Sequence, residues 1–410
     1  MYSHSLHKAL ALVLTAGFTL ALSNAHASGF RLPEASTLGL GLSNAVVANP
    51  EELGALPYNP AAMSFHEGIN LNAGLLFVDP NTEVNNATGN HSSNVDSPII
   101  IPQFYLMDRL TPQWSVGLNV GAPFGLETNW SPETFPVFAG PLDPLEPTHS
   151  KLELVNINPN IAYRIGADTS IALGVDYYRV NEALLNTKSI GIRGDGEDWG
   201  WNIGLLHRAG PWSFGASYRS SVKVDIEGTL NASAVGSIAS NARTSIEFPE
   251  LWQVGARYRA NEQLAVEFDI ERMGWSSFDR LVIAHASPGI TNPVVNVNDW
   301  SDSTAYRLGA TYQLYPDLQL RAGYTFDETP QSGAHFTARI PDADRQTFSV
   351  GLAKQFQGWT LEGGYMYVLW DDRTINNSTP PAADPNGTLA FNGTYKSHAH
   401  LLGIGFSKKF

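Results

Sequence analysis

Four arginines, Arg219, Arg257, Arg307 and Arg321, and five acids, Asp176, Glu267, Asp269, Glu271 and Glu362, fall at alternate positions in segments whose other side is apolar. Such a set can close on itself as a lattice of ion pairs. Alternatively, one or two of the arginines can meet the carboxylate of a ligand, which the forked guanidinium suits. Both readings stay open. Other spacings carry weaker signals. His398 and His400 lie two apart on one strand face, which fits a metal or, more simply, an aromatic boundary. Asp342-x-Asp344 fits a cation or a loop brace through Arg345. Gly39-Leu40-Gly41 lacks a preceding strand and has Asn44 where a nucleotide loop needs its third glycine. His-Glu-x-x-His and Gly-x-Ser-x-Gly are absent, and so is Cys. No cofactor and no metal are expected. A Ser-His-acid site assembled from separate strands, as in a membrane-embedded hydrolase, is the catalytic arrangement that inspection leaves open.

The elements carrying these residues alternate with period two. Leu264, Val266, Phe268 and Ile270 oppose Ala265, Glu267, Asp269 and Glu271. Trp114, Val116, Leu118 and Val120 oppose Ser115, Gly117 and Asn119, and the pattern returns in 252–258 and 318–326. Strict alternation is the mark of a half-buried strand. Fourteen strands are expected, near 68–78, 98–107, 113–122, 151–164, 169–181, 197–207, 212–222, 245–259, 263–275, 302–314, 318–327, 346–356, 359–371 and 395–410. Short connections follow the even strands and long ones the odd strands, as in bacterial outer-membrane barrels. Aromatic residues near strand ends, among them Trp114, Tyr163, Trp212, Trp252, Tyr258, Tyr312 and Trp359, suit interfacial girdles. The fold expected is all-β: a closed transmembrane antiparallel barrel whose apolar face meets lipid and whose charged face meets the lumen.

Composition agrees. The 410 residues are 16% charged and 11% aromatic, with 37 Gly and a net charge of -14. That acidic balance argues against a nucleic-acid partner, which would need a basic face. Residues 1–27 read as a secretory signal peptide: Lys8, an apolar stretch from Ala9 to Leu22, then Ala25-His26-Ala27. The apolar stretch is shorter than the ~20 residues a membrane helix needs. Export of a cysteine-free chain with this pattern points to the outer membrane of a Gram-negative bacterium.

Two stretches break the alternation. Residues 28–67 are small and semi-polar, and are expected to fold into the lumen as a hatch, leaving 68–410 as the barrel. The connection 123–149 holds Phe124, Leu126, Trp130, Phe135, Val137 and Phe138 together with six prolines. So apolar a loop marks either a hydrophobic binding groove or an aromatic cluster that packs the loop over the barrel mouth. Gly121 and Pro123 weaken the upper end of the third strand, since proline offers no donor. The simpler alternative is that Pro123 begins an external loop.

The ordered blocks Gly29-Phe30-x-Leu32-x-Glu34-x-Ser36, Asn59-Pro60-Ala61, Pro123-Phe124-Gly125-Leu126, Tyr218-Arg219-Ser220-Ser221, Phe248-Pro249-Glu250-Leu251-Trp252 and Pro341-Asp342-Ala343-Asp344-Arg345 span nearly all of residues 28–410. In that order they resemble the outer-membrane long-chain fatty acid transporter family (FadL type, with its toluene-channel relatives). The resemblance implies a monomeric fourteen-strand barrel in outer-membrane lipid that passes hydrophobic small molecules by diffusion. Long-chain fatty acids come first, with aromatic hydrocarbons as the alternative cargo; a general porin is the rival from another class, opposed by the hatch. It further implies capture in an external apolar groove and lateral exit beside a kinked third strand. Carried over by motif, Asn59, Pro60 and Ala61 are hatch residues near that gap, and Gly121 and Pro123 are residues of the break.

Overall fold

The computed structural model describes residues 29–138, 140–233, 238–288, 290–376 and 391–410. The expected signal peptide lies outside the described residues. Fourteen antiparallel strands close into a barrel: β1 (Ile69–Asn86), β2 (Ile99–Arg109), β3 (Trp114–Gly121), β4 (Pro147–Ile165), β5 (Thr169–Thr187), β6 (Ile190–Ala209), β7 (Trp212–Arg219), β8 (Leu251–Arg259), β9 (Leu264–Met273), β10 (Ser303–Tyr315), β11 (Leu318–Asp327), β12 (Arg345–Phe356), β13 (Trp359–Trp370) and β14 (Gly393–Lys409). Each pairs with its sequence neighbour, and β14 returns to β1 in a ladder from Asn70↔Lys409 to Asn85↔Thr394. Closure pairs every strand on both sides along most of its length, so most backbone groups are satisfied within the wall.

The faces fall as the alternation requires. Phe268 and Ile270 are exposed on the outside, while Glu267, Asp269 and Glu271 are buried inside. Trp252 and Val254 point outward; Gln253 and Arg257 point inward. Charges on the lipid side would each cost ~2–4 kcal/mol at mid-bilayer, which explains their segregation. Outward aromatics pair across strands at both ends. Trp114–Tyr163 and Trp212–Tyr258 centroids lie 4.7 and 4.5 Å apart at the short-turn end, and Tyr177–Trp199 and Tyr218–Trp252 lie 4.7 and 4.4 Å apart towards the long loops.

The strands differ from expectation at their upper ends. β1 runs on to Asn86 and β5 to Thr187, beyond the stretches where lipid meets one face. There both faces are wet or loop-covered, so alternation no longer marks the strand. The expected seventh and eighth strands, 212–222 and 245–259, are each divided. The chain breaks after Arg219 and continues as a hairpin of Val222–Ala232 with Ile238–Phe248, whose first strand pairs with Ile190–Gly196 of β6, and the wall strand resumes at Leu251, opposite Arg219. Ser220-Ser221 and Pro249-Glu250 make the breaks.

Candidate functional site

Residues 29–66 bond to inward-facing residues on several sides of the barrel. The short α-helix α1 (Thr37–Gly41) starts at Ser36, whose Oγ accepts from Gly39 N at 3.0 Å and donates to Gly54 O at 2.7 Å. Asp269 accepts the backbone N–H groups of Val46 and Val47 at 2.8 and 3.0 Å, and Glu267 accepts that of Ala48 at 2.6 Å. Ser213 donates to Ala48 O and Thr325 to Ser43 O, each at 2.7 Å. Inward glycines make the room: a Cβ at Gly215 would lie 2.1 Å from Val47 O, and one at Gly323 would lie 2.2 Å from Leu42 C.

Asn59-Pro60-Ala61 opens a 3₁₀ turn, Pro60–Phe65. Asn59 Oδ1 accepts from Ala61 N at 3.2 Å, and its Nδ2 donates to Val47 O and to Leu205 O on β6, both at 2.9 Å. Asn59 thus ties the segment to itself and to the wall. Its hydrogen bonds run to Val47, Ala61 and β6; those to the strand-three break come from Phe30 and Leu32.

β3 ends at Gly121, and pairing resumes at Gly125–Asn129. Gly121 opposes Asn156 of β4 and Gly125 opposes Glu153, so Ala122, Pro123 and Phe124 face only two residues of that strand. The extra residue bends the chain, as a bulge does. On the other side β2 loses its partner. Its ladder with β3 begins at Phe104↔Val120, leaving Ile99–Gln103 paired with β1 alone. The orphaned groups of the bent stretch are taken up from within. Gly125 N donates to Phe30 O at 3.1 Å, and Leu32 N donates to Pro123 O at 2.9 Å. Above the break the wall is rejoined, where Asn94 N donates to Asn129 O at 2.7 Å.

A cavity of about 440 Å³ lies beside this break. Phe30, Leu32, Ile99, Ile101, Phe124 and Leu126 give it apolar walls. At its upper end Phe30 sits among Phe124, Phe248, Trp275, Phe278 and Trp300, with ring centroids 4.6 to 6.3 Å away.

The structure divides the apolar loop residues. Phe124 and Leu126 line the cavity. Trp130, Phe135 and Phe138 do not form an open groove: they are buried with Phe336, Ile375, Phe391 and Tyr395, with Val137 packed alongside. Trp130 Nε1 donates to Ala338 O at 2.9 Å, and Phe135 N donates to Glu146 at 2.8 Å. Apolar side chains brought together in a loop shield one another from water, and here that outweighs presentation to a ligand.

The arginines are spoken for. Arg219 pairs with Asp176, Arg257 with Glu51 and Glu267 at 3.3 and 3.4 Å, Arg307 with Glu271 at 2.8 Å, and Arg321 with Glu52 and Glu362 at 2.5 and 3.4 Å. Of the four only Arg307 lines the cavity. Sequence reasoning passed over Arg31, which also lines it and pairs with Glu271. Its signal was a lone arginine inside the apolar block Gly29–Leu32. Asp342 accepts from Gly29 N at 3.1 Å and from Thr329, and burial pushes its carboxyl up to about 6. Arg345 pairs with Asp327 at 2.9 Å. His400 accepts or donates to Tyr365 at 2.8 Å in an aromatic band with His398 and Tyr367. Among the described residues no three His, Asp or Glu stand together to hold a metal.

Comparison with known proteins gives consistent results. Residues 18–410 match the family described as outer membrane protein transport protein (OMPP1/FadL/TodX). The long-chain fatty acid transport protein of Escherichia coli strain K12 is 24% identical over 94% of this chain and 97% of its own. Outer membrane protein P1 of Haemophilus influenzae is 24% identical over 97% and 98%. Among solved structures, a FadL homologue of Pseudomonas aeruginosa superposes with a TM-score of 0.79 at 17% identity, covering 93% of this chain and all (100%) of its own. The toluene transporter TbuX of Ralstonia pickettii gives 0.68 at 17% identity, covering 92% and 98%.

Proposed function

This chain belongs to the outer membrane protein transport family (OMPP1/FadL/TodX), and from that premise we propose that it is a passive channel for hydrophobic compounds in the outer membrane of a Gram-negative bacterium. Long-chain fatty acids are its first candidate cargo and aromatic hydrocarbons its second. The observation that carries the reading is the apolar cavity set against the unpaired Ile99–Gln103 edge of β2. Cargo meeting the cavity has a short route through the wall to lipid. Each CH₂ removed from water there contributes ~0.8 kcal/mol, so binding needs little beyond apolar walls.

In this reading residues 28–67 act as the hatch. They seal the lumen to ions and supply, through Phe30 and Leu32, the hydrogen bonds that a bent β3 cannot get from β2. Gly121 and Pro123 set the bend. Asn59, Pro60 and Ala61 anchor the lower part of the hatch to β6. Exit is lateral, between β2 and the bent end of β3, into outer-membrane lipid. One chain closes the barrel, so a monomer suffices. No catalytic chemistry is assigned, because transport here needs no bond to break.

The test is uptake of radiolabelled oleate and toluene by cells lacking their own transporter and expressing this chain. The reading expects uptake of at least one of them without steady ion conductance in planar bilayers. A water-filled conducting pore with no hydrophobic uptake would replace it with a general porin.

A further inference from the structure

The cavity wall carries charge, and its arginines and lysine are all engaged. Arg31, Lys151, Arg307 and Arg345 line it, against Glu34, Glu127, Glu153, Asp327 and Asp342. Every one of these cations already has a protein carboxylate. Lys151 lies 2.6 Å from Glu153 and 3.5 Å from Glu182. Arg345 gives Asp327 two donors, at 2.9 and 3.0 Å.

Glu271 is the centre of the arrangement. It sits behind the cavity on β9, buried to 1% exposure. Its Oε1 accepts from both Arg31 and Arg307, the latter at 2.8 Å, and its Oε2 accepts from Gln253 at 2.6 Å. Of the three acids on the inward face of β9, Glu271 thus engages Arg31 and Arg307, Glu267 pairs with Arg257, and Asp269 is taken up by the N–H groups of Val46 and Val47. An incoming carboxylate would find each of the four lining cations already engaged by a protein acid. It would have to strip an arginine from Glu271 and leave that acid buried without a partner, which is unfavourable. It would also face acids that are already in use: Glu34, which accepts from Asn44 at 3.0 Å, Glu127, 2.9 Å from His149, and Asp342.

We infer that Glu271 is a specificity-determining residue: by engaging both Arg31 and Arg307 it makes the cavity a site for uncharged amphiphiles and hydrocarbons, and a fatty acid is taken in its protonated form. This rests on the reading of the chain as a hydrophobic-compound channel. An ionised headgroup then contributes nothing to capture, and chain and ring burial supply the affinity.

The experiment is displacement of a neutral pyrene-labelled alkane from the purified full-length barrel by dodecanol and by dodecanoate at pH 8, where the acid is ionised. The quantity read is the ratio of the two displacement constants, compared between variants so that partition into detergent cancels. In the natural protein dodecanol should displace at least roughly tenfold better. Glu271→Gln should narrow that ratio by about tenfold, since it leaves Arg31 and Arg307 without their shared acid and does not change side-chain size. Removing both arginines as well, in Glu271→Gln with Arg31→Gln and Arg307→Gln, should restore the preference for dodecanol. A heat-modifiable band on gels shows that each variant has folded. Should Glu271→Gln fail to fold, the natural protein's ratio and that of Arg31→Gln alone, expected to stay in favour of dodecanol, carry the test. Equal or better displacement by dodecanoate in the natural protein overturns the inference, and so does an unchanged ratio in folded Glu271→Gln. Failure of the pyrene alkane to bind at all overturns the transport reading, and the inference with it.

Discussion

Asn59 does its work with a single amide, capping the Pro60–Phe65 turn and tying Val47 to Leu205. Asn59→Ala should remove bonds worth about 1–3 kcal/mol to hatch docking. Amide hydrogen exchange at Ala61 and Ala62 should quicken while the barrel strands stay protected; unchanged exchange would show that the motif holds nothing. Asp342 offers a pH test. Its carboxyl, raised to about 6 from an ordinary 3.8, favours the protonated form in the folded chain. The stabilisation is complete below the ordinary value and is lost as pH rises through about 6. Exchange across the 329–345 loop, corrected for intrinsic rates, should therefore be slower at pH 5 than at pH 8, and Asp342→Asn should reduce the difference. Phe135 and Phe138 belong to a loop core, so replacing both with Ser should open the 130–145 stretch to protease on intact cells. A resistant loop would mean that the pair is dispensable for packing. The paired fates of these side chains were not legible in sequence. Six apolar loop residues look alike there, and only the partners Phe336 and Phe391, two hundred residues away and more, decide which are buried together.

At the scale of the element, β3 shows how a local rule becomes a site. Gly121 and Pro123 mark the break in the sequence, because proline cannot donate and glycine has no side chain to pack. What the sequence does not carry is the partner. Arg31 pairs with Phe124 across ninety residues, and no periodicity announces it. Deleting Ala122 removes the extra residue opposite Leu154 and Val155 and should let the third strand zip further along β2. Hydrophobic uptake should then drop to the background of cells without the protein, with heat-modifiability kept. Sustained uptake would mean that the bend is not the route. The same contrast holds for the other strands. Wherever lipid wets one face, as in β8, β9 and β11, alternation placed the strand and its direction. Where the chain rises above the bilayer, as in the Val222–Phe248 hairpin, that asymmetry in solvent is gone and the boundaries blurred.

For the molecule as a whole, the outward apolar face and the inward charged face define a barrel in lipid, and residues 29–66 bond to its β6, β7, β9 and β11. The barrel was readable from alternation; the absence of alternation over 28–67 set that stretch apart without saying which strands it would bond. The route for cargo is the claim on which the functional account stands. The chain has no cysteine, so Ile101→Cys with Ala122→Cys would place a unique thiol pair on either side of the gap, both at cavity-lining positions. The decisive measurement is oleate uptake by cells expressing that pair, before and after bridging with a short reducible thiol cross-linker. The account predicts that bridging abolishes uptake and that reductant restores it; undiminished uptake through a bridged gap would contradict it.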